Sequence, residues 1–176
     1  MGTQLEPIIN IAQDKISDFT ITKTSQHSIS NKTRFGTQLA ALEVFKESPI
    51  IGVGLGQQGY YITQHYPKWA ATENWEIRLF KNNQSSVWPP GFSMLTRLLC
   101  EVGFIGTLLF FSSGFLLLLT LRRAFLKSND SNNIIILVTF TVLFGFTINL
   151  LQFDSFRLIG YWVTFAFAYA ILKENE

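Results

Sequence analysis

The chain has 176 residues, of which 48% are apolar, 15% are charged and 17 are phenylalanine. This composition argues against an ordinary soluble domain, and it is uneven, because most charged residues precede residue 102. Cys100 is the sole cysteine, which excludes an internal disulfide, and the separated histidines His27 and His65 give no metal-ligand spacing. We therefore predict neither a metal site nor a cofactor.

The first element that the pattern predicts is a helix over residues 34–47, after a polar segment, 1–33, that is expected to be loop with one short helix. Four large apolar residues recur at helical spacing on one face: Phe35, Leu39, Leu42 and Phe45. Pro49 would end the helix, because the residue before a proline is disfavoured in the helical conformation. The apolar face can lie on a membrane surface or pack as in an ordinary helix, and both interpretations remain open.

A glycine-rich segment, residues 49–59, follows this helix, and residues 54–59 match the dinucleotide-binding fingerprint Gly-x-Gly-x-x-Gly. Glu76 even lies at about the distance of the ribose-binding acid in such sites. We reject the match, because the fingerprint needs a strand before it and an amphipathic helix after it, and residues 60–69 show no helical stripe. The glycines are expected instead to permit a tight turn or the close approach of a ligand or helix.

Residues 60–90 interleave aromatic side chains with cations. The aromatic residues are Tyr60, Tyr61, Tyr66, Trp69, Trp75, Phe80 and Trp88, and the cations are Lys68, Arg78 and Lys81. Flat aromatic faces suit sugar rings and cations suit phosphates, which makes this segment a candidate glycan-binding site. The alternative is an aromatic belt at a membrane interface. A short amphipathic stretch, residues 92–101, then leads into the apolar part of the chain.

Three apolar segments predict a mainly α, integral membrane protein with about three transmembrane helices. Residues 102–121 and 134–153 are uncharged runs of about 20 residues, enough to cross ~30 Å of hydrocarbon as helices. The third segment, 157–172, is shorter, and it reaches across if Arg157 and Lys173 extend to the two interfaces. The alternative is a buried hairpin in the core of a soluble protein.

The charge of the short connection at 122–133 predicts the orientation. It carries Arg122, Arg123 and Lys127 against Asp130, an excess of positive charge that is typical of the cytoplasmic side. Residues 1–101 would then form a large extracytoplasmic segment, facing the periplasm or outside of a bacterial inner membrane, before the transmembrane region at 102–176. We see no signal peptide at the amino terminus. The chain is therefore expected to continue a longer protein with further spans, or its first span acts as a reverse anchor.

Three short motifs, taken in order, carry a family resemblance. Arg34 is followed at residues 45–56 by Phe-Lys-Glu-Ser-Pro-Ile-Ile-Gly-Val-Gly-Leu-Gly. Residues 98–106 read Leu-Leu-Cys-Glu-Val-Gly-Phe-Ile-Gly, and residues 154–157 read Asp-Ser-Phe-Arg before Tyr161 and Trp162. Their order and spacing resemble the O-antigen ligase and O-antigen polymerase superfamily over about residues 34–172.

The resemblance implies a multi-spanning inverting glycosyltransferase that takes glycans from undecaprenyl diphosphate without a nucleotide sugar or a metal. Arg34 and Arg157 would be the catalytic cations that hold and neutralise the diphosphate leaving group. The residues expected to bind substrate are Gly52, Gly54, Gly56, Glu101 and Trp88. The expected partners are membrane lipid, the lipid-linked glycan and other polysaccharide assembly proteins, and not nucleic acid.

Two departures from the family pattern refine this expectation. Ligases carry a histidine where this chain has Phe92, nine residues before Glu101, which favours a polymerase over a ligase. Family members also have many more than three spans, so this chain is expected to form an incomplete catalytic chamber and to be inactive alone. A non-enzymatic component of polysaccharide export or assembly is the remaining hypothesis. The polar groups of the spans gather at the outer end, which favours chemistry at the periplasmic face.

Overall fold

The computed structural model describes residues 26–82, 87–127, 133–153 and 158–174. Within those residues the chain forms helices and no strand, and helices take up 79% of them, which confirms the prediction of a mainly α protein. In chain order the helices are α1 (Gln26–Glu47), α2 (Gln58–His65), α3 (Lys68–Ala71), α4 (Trp75–Lys81), α5 (Met94–Lys127), α6 (Asn133–Asn149) and α7 (Ile159–Glu174).

Helix α1 ends at Glu47 as predicted, but it begins at Gln26 and buries a different face. The predicted apolar stripe points outward, since Phe35 and Leu39 are exposed and Leu42 and Phe45 are only partly buried. The buried face consists mostly of small residues instead: Thr33, Gly36, Thr37, Ala40, Ala41 and Val44.

Small residues on α1 let the short helices α2, α3 and α4 pack closely against it. At Gly36 a Cβ would lie 2.6 Å from the Cβ of Ala70 in α3, which is closer than two carbon atoms can approach. Because the distance between packed helices depends on the side chains at the contact, large residues on this face would hold the helices apart. The size of the side chains therefore decides which face of α1 is buried.

Two buried polar contacts fix the short helices to α1. The Asn74 side chain caps α4 by accepting from two backbone amides, at 3.1 and 3.3 Å, and its Nδ2 donates to Thr33 Oγ1 at 3.0 Å. The hydroxyl of Tyr66 lies 3.1 Å from the hydroxyl of Thr37. Unsatisfied polar groups in such a dry environment would be costly, so these pairs specify how the short helices meet α1.

Helix α2 occupies Gln58–His65, although residues 60–69 show no helical stripe. Its buried residues are Gln58, Gly59 and Ile62, too few apolar positions to give a stripe. A helix this short owes its stability to tertiary packing more than to its own propensity. The rejection of the dinucleotide fingerprint stands on its other ground, because turns and no strand precede α2 in the described part of the chain.

Helix α5 is interrupted at Gly103, whose φ of 67° and ψ of −167° are not helical. The part before the break corresponds to the amphipathic stretch predicted ahead of the first span. The part after it starts at Phe104, close to the predicted limit at residue 102. By length and composition α5 can cross a membrane, whereas α6 and α7 are shorter apolar helices.

The end of α6 caps the beginning of α5. Helix α6 ends at Asn149, before the predicted limit at residue 153, because a turn follows it. The backbone amide of Met94 donates to the carbonyl groups of Leu150 at 2.9 Å and Phe153 at 3.0 Å. The first amides of a helix have no partner within the helix, so this contact satisfies one of them and holds the two helix ends together.

Two hydrophobic clusters stabilise the described residues, and α5 contributes to both. One lies among α5, α6 and α7 and includes Met94 and Leu98. The other lies among α1, the short helices and the first part of α5, where Cys100 is buried. The segment of α5 before the Gly103 break therefore connects the apolar helices to the part of the chain that carries the candidate site.

Candidate functional site

An open cleft lies between α2, the end of α4 and residues 87–89, with a volume of about 610 Å³. Its lining combines aromatic rings with uncharged polar groups: Gly59, Tyr60, Tyr61, Thr63, Gln64, Phe80, Asn82, Val87, Trp88 and Pro89. Ring faces can cover the apolar faces of a sugar, while amides and hydroxyls bind its hydroxyl groups. We call this feature the aromatic cleft.

Trp88, one of the residues predicted to bind substrate, is held in the cleft by two contacts. Its ring lies edge-to-face on Tyr60, with 4.6 Å between the ring centroids and 79° between the planes. It also packs directly on Gly59, where a Cβ would overlap the indole ring. One half of Trp88 remains exposed, so the ring is fixed but still available to a ligand.

Arg34 lies on the exposed side of α1, with its guanidinium carbon 5.6 Å from the centre of the Phe92 ring. Phe92 has a φ of 60°, which is unusual for a residue with a side chain. Within the described residues the guanidinium takes part in no ion pair. Arg34 is not among the residues that line the aromatic cleft.

The glycine-rich loop after α1 is bound to the break in α5 by four backbone hydrogen bonds. Two amides of the loop donate to carbonyls before the break, at 2.9 and 2.8 Å, and two amides after the break donate to the loop, at 2.8 and 3.4 Å. The pairs are Val53 with Cys100, Gly54 with Glu101, Phe104 with Pro49, and Ile105 with Ile50. We call this feature the glycine junction.

Two glycines make the junction possible. Gly52 has a φ of 68° and Gly103 a φ of 67°, a region that residues with a Cβ rarely adopt. A Cβ on Gly52 would overlap the backbone of Glu101, and a Cβ on Gly103 would overlap the backbone of Ile50. The expectation that glycines allow a neighbouring helix to approach closely is therefore confirmed at Gly52.

The junction changes what the predicted substrate-binding glycines can do. The amide of Gly54 already donates to Glu101, and the amide of Gly52 donates to Ser48 at 3.0 Å. Neither amide is open to a phosphate in this arrangement. Gly56 differs, because it is exposed and a Cβ there would meet nothing within 4 Å. Helix α2 begins two residues after Gly56, so the junction fixes the start of the helix that forms one wall of the aromatic cleft.

Glu101, also predicted to bind substrate, is 1% exposed and lies inside the protein. Its Oε1 accepts from Nε of Arg97 at 3.2 Å, one helical turn earlier. Its Oε2 has no hydrogen-bond partner within the described residues. A ligand reaches this carboxylate only if the glycine junction or α1 moves. Arg157, the second predicted catalytic residue, lies outside the described residues.

Burial and hydrogen bonding shift the pKa values of three groups near the site. Burial raises the pKa of the Cys100 thiol to about 12, and the neighbouring Glu101 charge adds to the effect. Burial raises the pKa of Tyr66 to about 12 as well. The pKa of His65 is raised chiefly by the Tyr61 carbonyl, which lies 2.9 Å from Nδ1, and further by Glu47, 2.9 Å from Nε2. Two acceptors on one ring favour the doubly protonated imidazolium.

Two important polar residues are not among the predicted site residues. Asn74 is completely buried, and Gln58 is almost so, with its Nε2 lacking a partner in the described part of the chain. An asparagine directly before a helix is a known capping signal, which makes Asn74 recognisable once α4 is assigned. Nothing in the local pattern marks Gln58, because its burial depends on the position of α2 against distant segments.

Comparison with known proteins identifies no relative of this chain: no family model, no curated protein and no solved structure matches it.

Proposed function

We propose that the chain is part of a polysaccharide polymerase-like glycosyltransferase that acts on glycan repeat units carried by undecaprenyl diphosphate. The observation that carries the proposal is the aromatic cleft. It combines exposed ring faces with neutral hydrogen-bonding groups, as a saccharide requires, and α2, which forms one of its walls, is tied through the glycine junction to an apolar helix. A glycan attached to a membrane lipid would meet such a cleft close to the bilayer.

The membrane part of the proposal is supported by how little of the apolar helices the protein covers. Only 22% of the most apolar stretch of α5 is buried, whereas a core helix of a soluble protein is mostly buried. Large apolar side chains also stay exposed on α6 and α7, among them Ile134 and Ile159. Soluble monomers rarely expose contiguous apolar patches beyond about a few hundred Å². Lipid, or further helices of a longer protein, would cover these surfaces.

We propose that α5 after Gly103, α6 and α7 form three spans. Residues 104–127 extend about 36 Å as a helix, more than the ~30 Å of the hydrocarbon layer. Helices α6 and α7, with 17 and 16 residues, extend only about 26 and 24 Å. Local thinning of the bilayer and the reach of Lys173 toward the interface can compensate such a difference. Arg122 and Arg123 at the end of α5 favour a cytoplasmic connection, with the aromatic cleft in the periplasm.

In the proposed reaction, a hydroxyl oxygen of the acceptor glycan attacks the anomeric carbon of the donor. The bond from that carbon to the phosphate oxygen breaks, its electron pair leaves with the lipid diphosphate, and the proton of the attacking hydroxyl passes to the departing diphosphate. The exposed guanidinium of Arg34 can bind two phosphate oxygens and stabilise the negative charge that develops on them. Its contact with Phe92 supports this role, because an aromatic face restrains the guanidinium without neutralising it.

The test is a binding measurement on the purified chain in lipid nanodiscs. It compares undecaprenyl diphosphate that carries an oligosaccharide with undecaprenyl diphosphate that carries none. We expect Trp88→Ala to weaken binding of the glycan-bearing lipid by about tenfold, which is the loss of about 1.4 kcal/mol of stacking. The affinity for the bare lipid should not change, since Trp88 would contact only the sugar.

Trp75→Ala is the matched control, because Trp75 is an exposed tryptophan of α4 that does not line the cleft. Equal affinity of the wild-type chain for both lipids would overturn the glycan-binding role of the cleft. If glycan binding depends on Trp88 but a full-length protein elongates no glycan, the polymerase proposal would be wrong. That result would favour one of the two alternatives, a ligase or a non-enzymatic component of polysaccharide assembly.

A further inference from the structure

Three large apolar side chains lie exposed on one short loop, the glycine-rich connection between α1 and α2. Ile50 is 62% exposed, Ile51 is 74% exposed and Leu55 is 64% exposed. Single exposed apolar residues are common on protein surfaces, but three within six positions form a patch that calls for a partner. We call these three residues the loop tip.

The glycine junction fixes the loop tip relative to α5. The amides of Phe104 and Ile105 donate to the carbonyls of Pro49 and Ile50, so the loop lies alongside the first turn of α5 after the break. Phe104 and Ile105 are themselves more than half exposed, as are Leu108 and Leu109 one turn further. The loop tip is therefore at the same level as the exposed apolar surface with which the long part of α5 begins.

We propose that the loop tip inserts into the outer leaflet of the bilayer beside α5. This inference rests on the proposed insertion of α5 and adds a contact from a segment that does not span the membrane. The occupant is lipid, because the surface on which the loop tip lies continues into the apolar surface of the span.

Two further observations favour lipid at this place. No Asp, Glu, Lys, Arg or His occurs in residues 48–64, so the loop that carries the tip brings no ionisable side chain into an apolar medium. The amides of Gly52, Val53 and Gly54 are all bonded within the chain. Backbone amides without partners would be costly to move out of water, and for these three amides that cost is already removed.

Insertion of the loop tip would hold α2 at the level of the lipid headgroups, because α2 starts at Gln58, three residues after Leu55. The aromatic cleft would then lie where the diphosphate and first sugars of a lipid-linked glycan are found.

The experiment attaches an environment-sensitive fluorophore to Ile51→Cys in the full chain, reconstituted in phosphatidylethanolamine and phosphatidylglycerol vesicles. Cys100 is buried and its thiol stays protonated at neutral pH, so the wild-type chain should label poorly and serves as the labelling control. Leu109→Cys reports on the span, and Lys68→Cys reports on an exposed polar position outside it. Nitroxide-labelled lipids and aqueous iodide, present on both sides of the membrane, are the two quenchers.

We expect the fluorophore at position 51 to be quenched by a nitroxide near the headgroup and to be protected from iodide. The fluorophore at position 109 should be quenched by a nitroxide deeper in the acyl chain, and the fluorophore at position 68 should be quenched by iodide. Quenching of Ile51 by iodide, with Leu109 still in lipid, would overturn the inference and leave the proposed span intact. Quenching of both by iodide would overturn the membrane span as well. Protection of Ile51 from both quenchers would show that protein, such as a second copy of the chain, covers the loop tip, and would also overturn the proposal.

Discussion

At the scale of single residues, the glycines of one loop differ in what surrounds them. Gly52 and Gly56 both have positive φ, at 68° and 77°, but only Gly52 faces the backbone of another segment. The pair therefore separates two effects that usually occur together. One is the strain of a left-handed backbone with a side chain, and the other is the loss of a close contact between segments.

We predict that Gly52→Ala destabilises the protein far more than Gly56→Ala. Both substitutions introduce backbone strain of about 1–3 kcal/mol. Gly52→Ala must also separate the loop from Glu101, which breaks the hydrogen bonds of the glycine junction. Thermal unfolding in detergent, followed by circular dichroism, measures the difference in Tm. Equal shifts for the two variants would contradict the close approach at Gly52, and Gly103→Ala should behave like Gly52→Ala.

Arg34 is the residue from which the largest functional effect is expected. In the proposed reaction, loss of a preorganised donor to a developing charge would lower the rate of glycan transfer by about 10²–10³. We predict that Arg34→Ala nearly abolishes long polysaccharide chains and that Arg34→Lys is strongly impaired, since lysine cannot hold two phosphate oxygens in a fixed fork. A glycan gel, at matched membrane abundance, gives the measurement.

Arg78→Ala is the control for Arg34, because Arg78 is an exposed arginine of α4 that does not contact Phe92. Normal chain lengths from a normally expressed Arg34→Ala protein would remove Arg34 from the site. Loss of chain length in both variants would show a general requirement for positive charge and not a specific phosphate contact.

At the scale of elements, His65 ties the last turn of α2 to the end of α1 through Glu47. Its folded pKa is raised, so the protein binds the proton more tightly when folded than when unfolded. The resulting stabilisation is fully present below the unfolded value of about 6.5 and is lost as the pH rises through the folded pKa. The effect is small, because the carboxylate of Glu47 is mostly exposed.

We predict that the wild-type chain loses more stability than His65→Gln when the pH is raised from about 5 to about 8. Glu47→Gln should retain part of the pH dependence, because the Tyr61 carbonyl is the largest cause of the shift and remains in place. Denaturation in detergent at several pH values, with NMR titration of the His65 ring, measures both. The same pH dependence in wild type and His65→Gln would rule out this contact as its source.

The predictability of the elements follows from the range of the interactions that form them. The end of α1 before Pro49 and the start of the apolar part of α5 follow from local patterns, and the structure agrees. The buried face of α1 could not be predicted, because α3 and α4 select small residues there, and their approach depends on contacts distant in sequence. A helical stripe of large residues indicates a helix here, but not which side of it is buried.

In the candidate site, too, local patterns predict some features, whereas others depend on contacts between segments distant in sequence. In the sequence, glycines mark the loop after α1 and aromatic residues mark the segment 60–90, and Trp88 is predicted there to bind substrate. That residues 49–54 bond to residues 100–105 could not be read from either motif, since each pairing spans about 50 residues of chain. Glu101 illustrates the consequence. Its charge suggests an accessible ligand-binding group, whereas the junction buries it.

At the scale of the whole molecule, the apolar helices and the helices of the candidate site form separate clusters that meet in α5. The end of α6 and the start of α5 are hydrogen-bonded through Met94, so these two ends share one side of the apolar bundle. Arg122 and Arg123 lie toward the other end of α5. The packing therefore puts Arg122 and Arg123 at the end of α5 that is remote from the glycine junction, which is the arrangement that the proposed topology requires.

We predict that reporter fusions at Asn129 and Glu176 both give a cytoplasmic signal. An odd number of crossings separates each of them from the aromatic cleft if α5, α6 and α7 all span, so a reporter inserted at Asn82 in the otherwise intact chain should report the opposite side. An external signal from Asn129 or Glu176 would disprove this topology. A cytoplasmic signal at Asn129 with an external one at Glu176 would show that α6 and α7 do not both cross.

The glycine junction also has a consequence for how the protein is made. Residues 49–54 are synthesised before residues 100–105, so in the proposed topology the loop would reach the far side of the membrane before its hydrogen-bonding partner is in place. In the proposed topology, the four hydrogen bonds can form only when α5 stops at the correct depth. A nascent chain whose α5 halts too early or too late keeps open amides and an unattached loop, which proteases can recognise. The junction would thus act as a checkpoint that couples maturation of the exported segment to correct insertion of the helix.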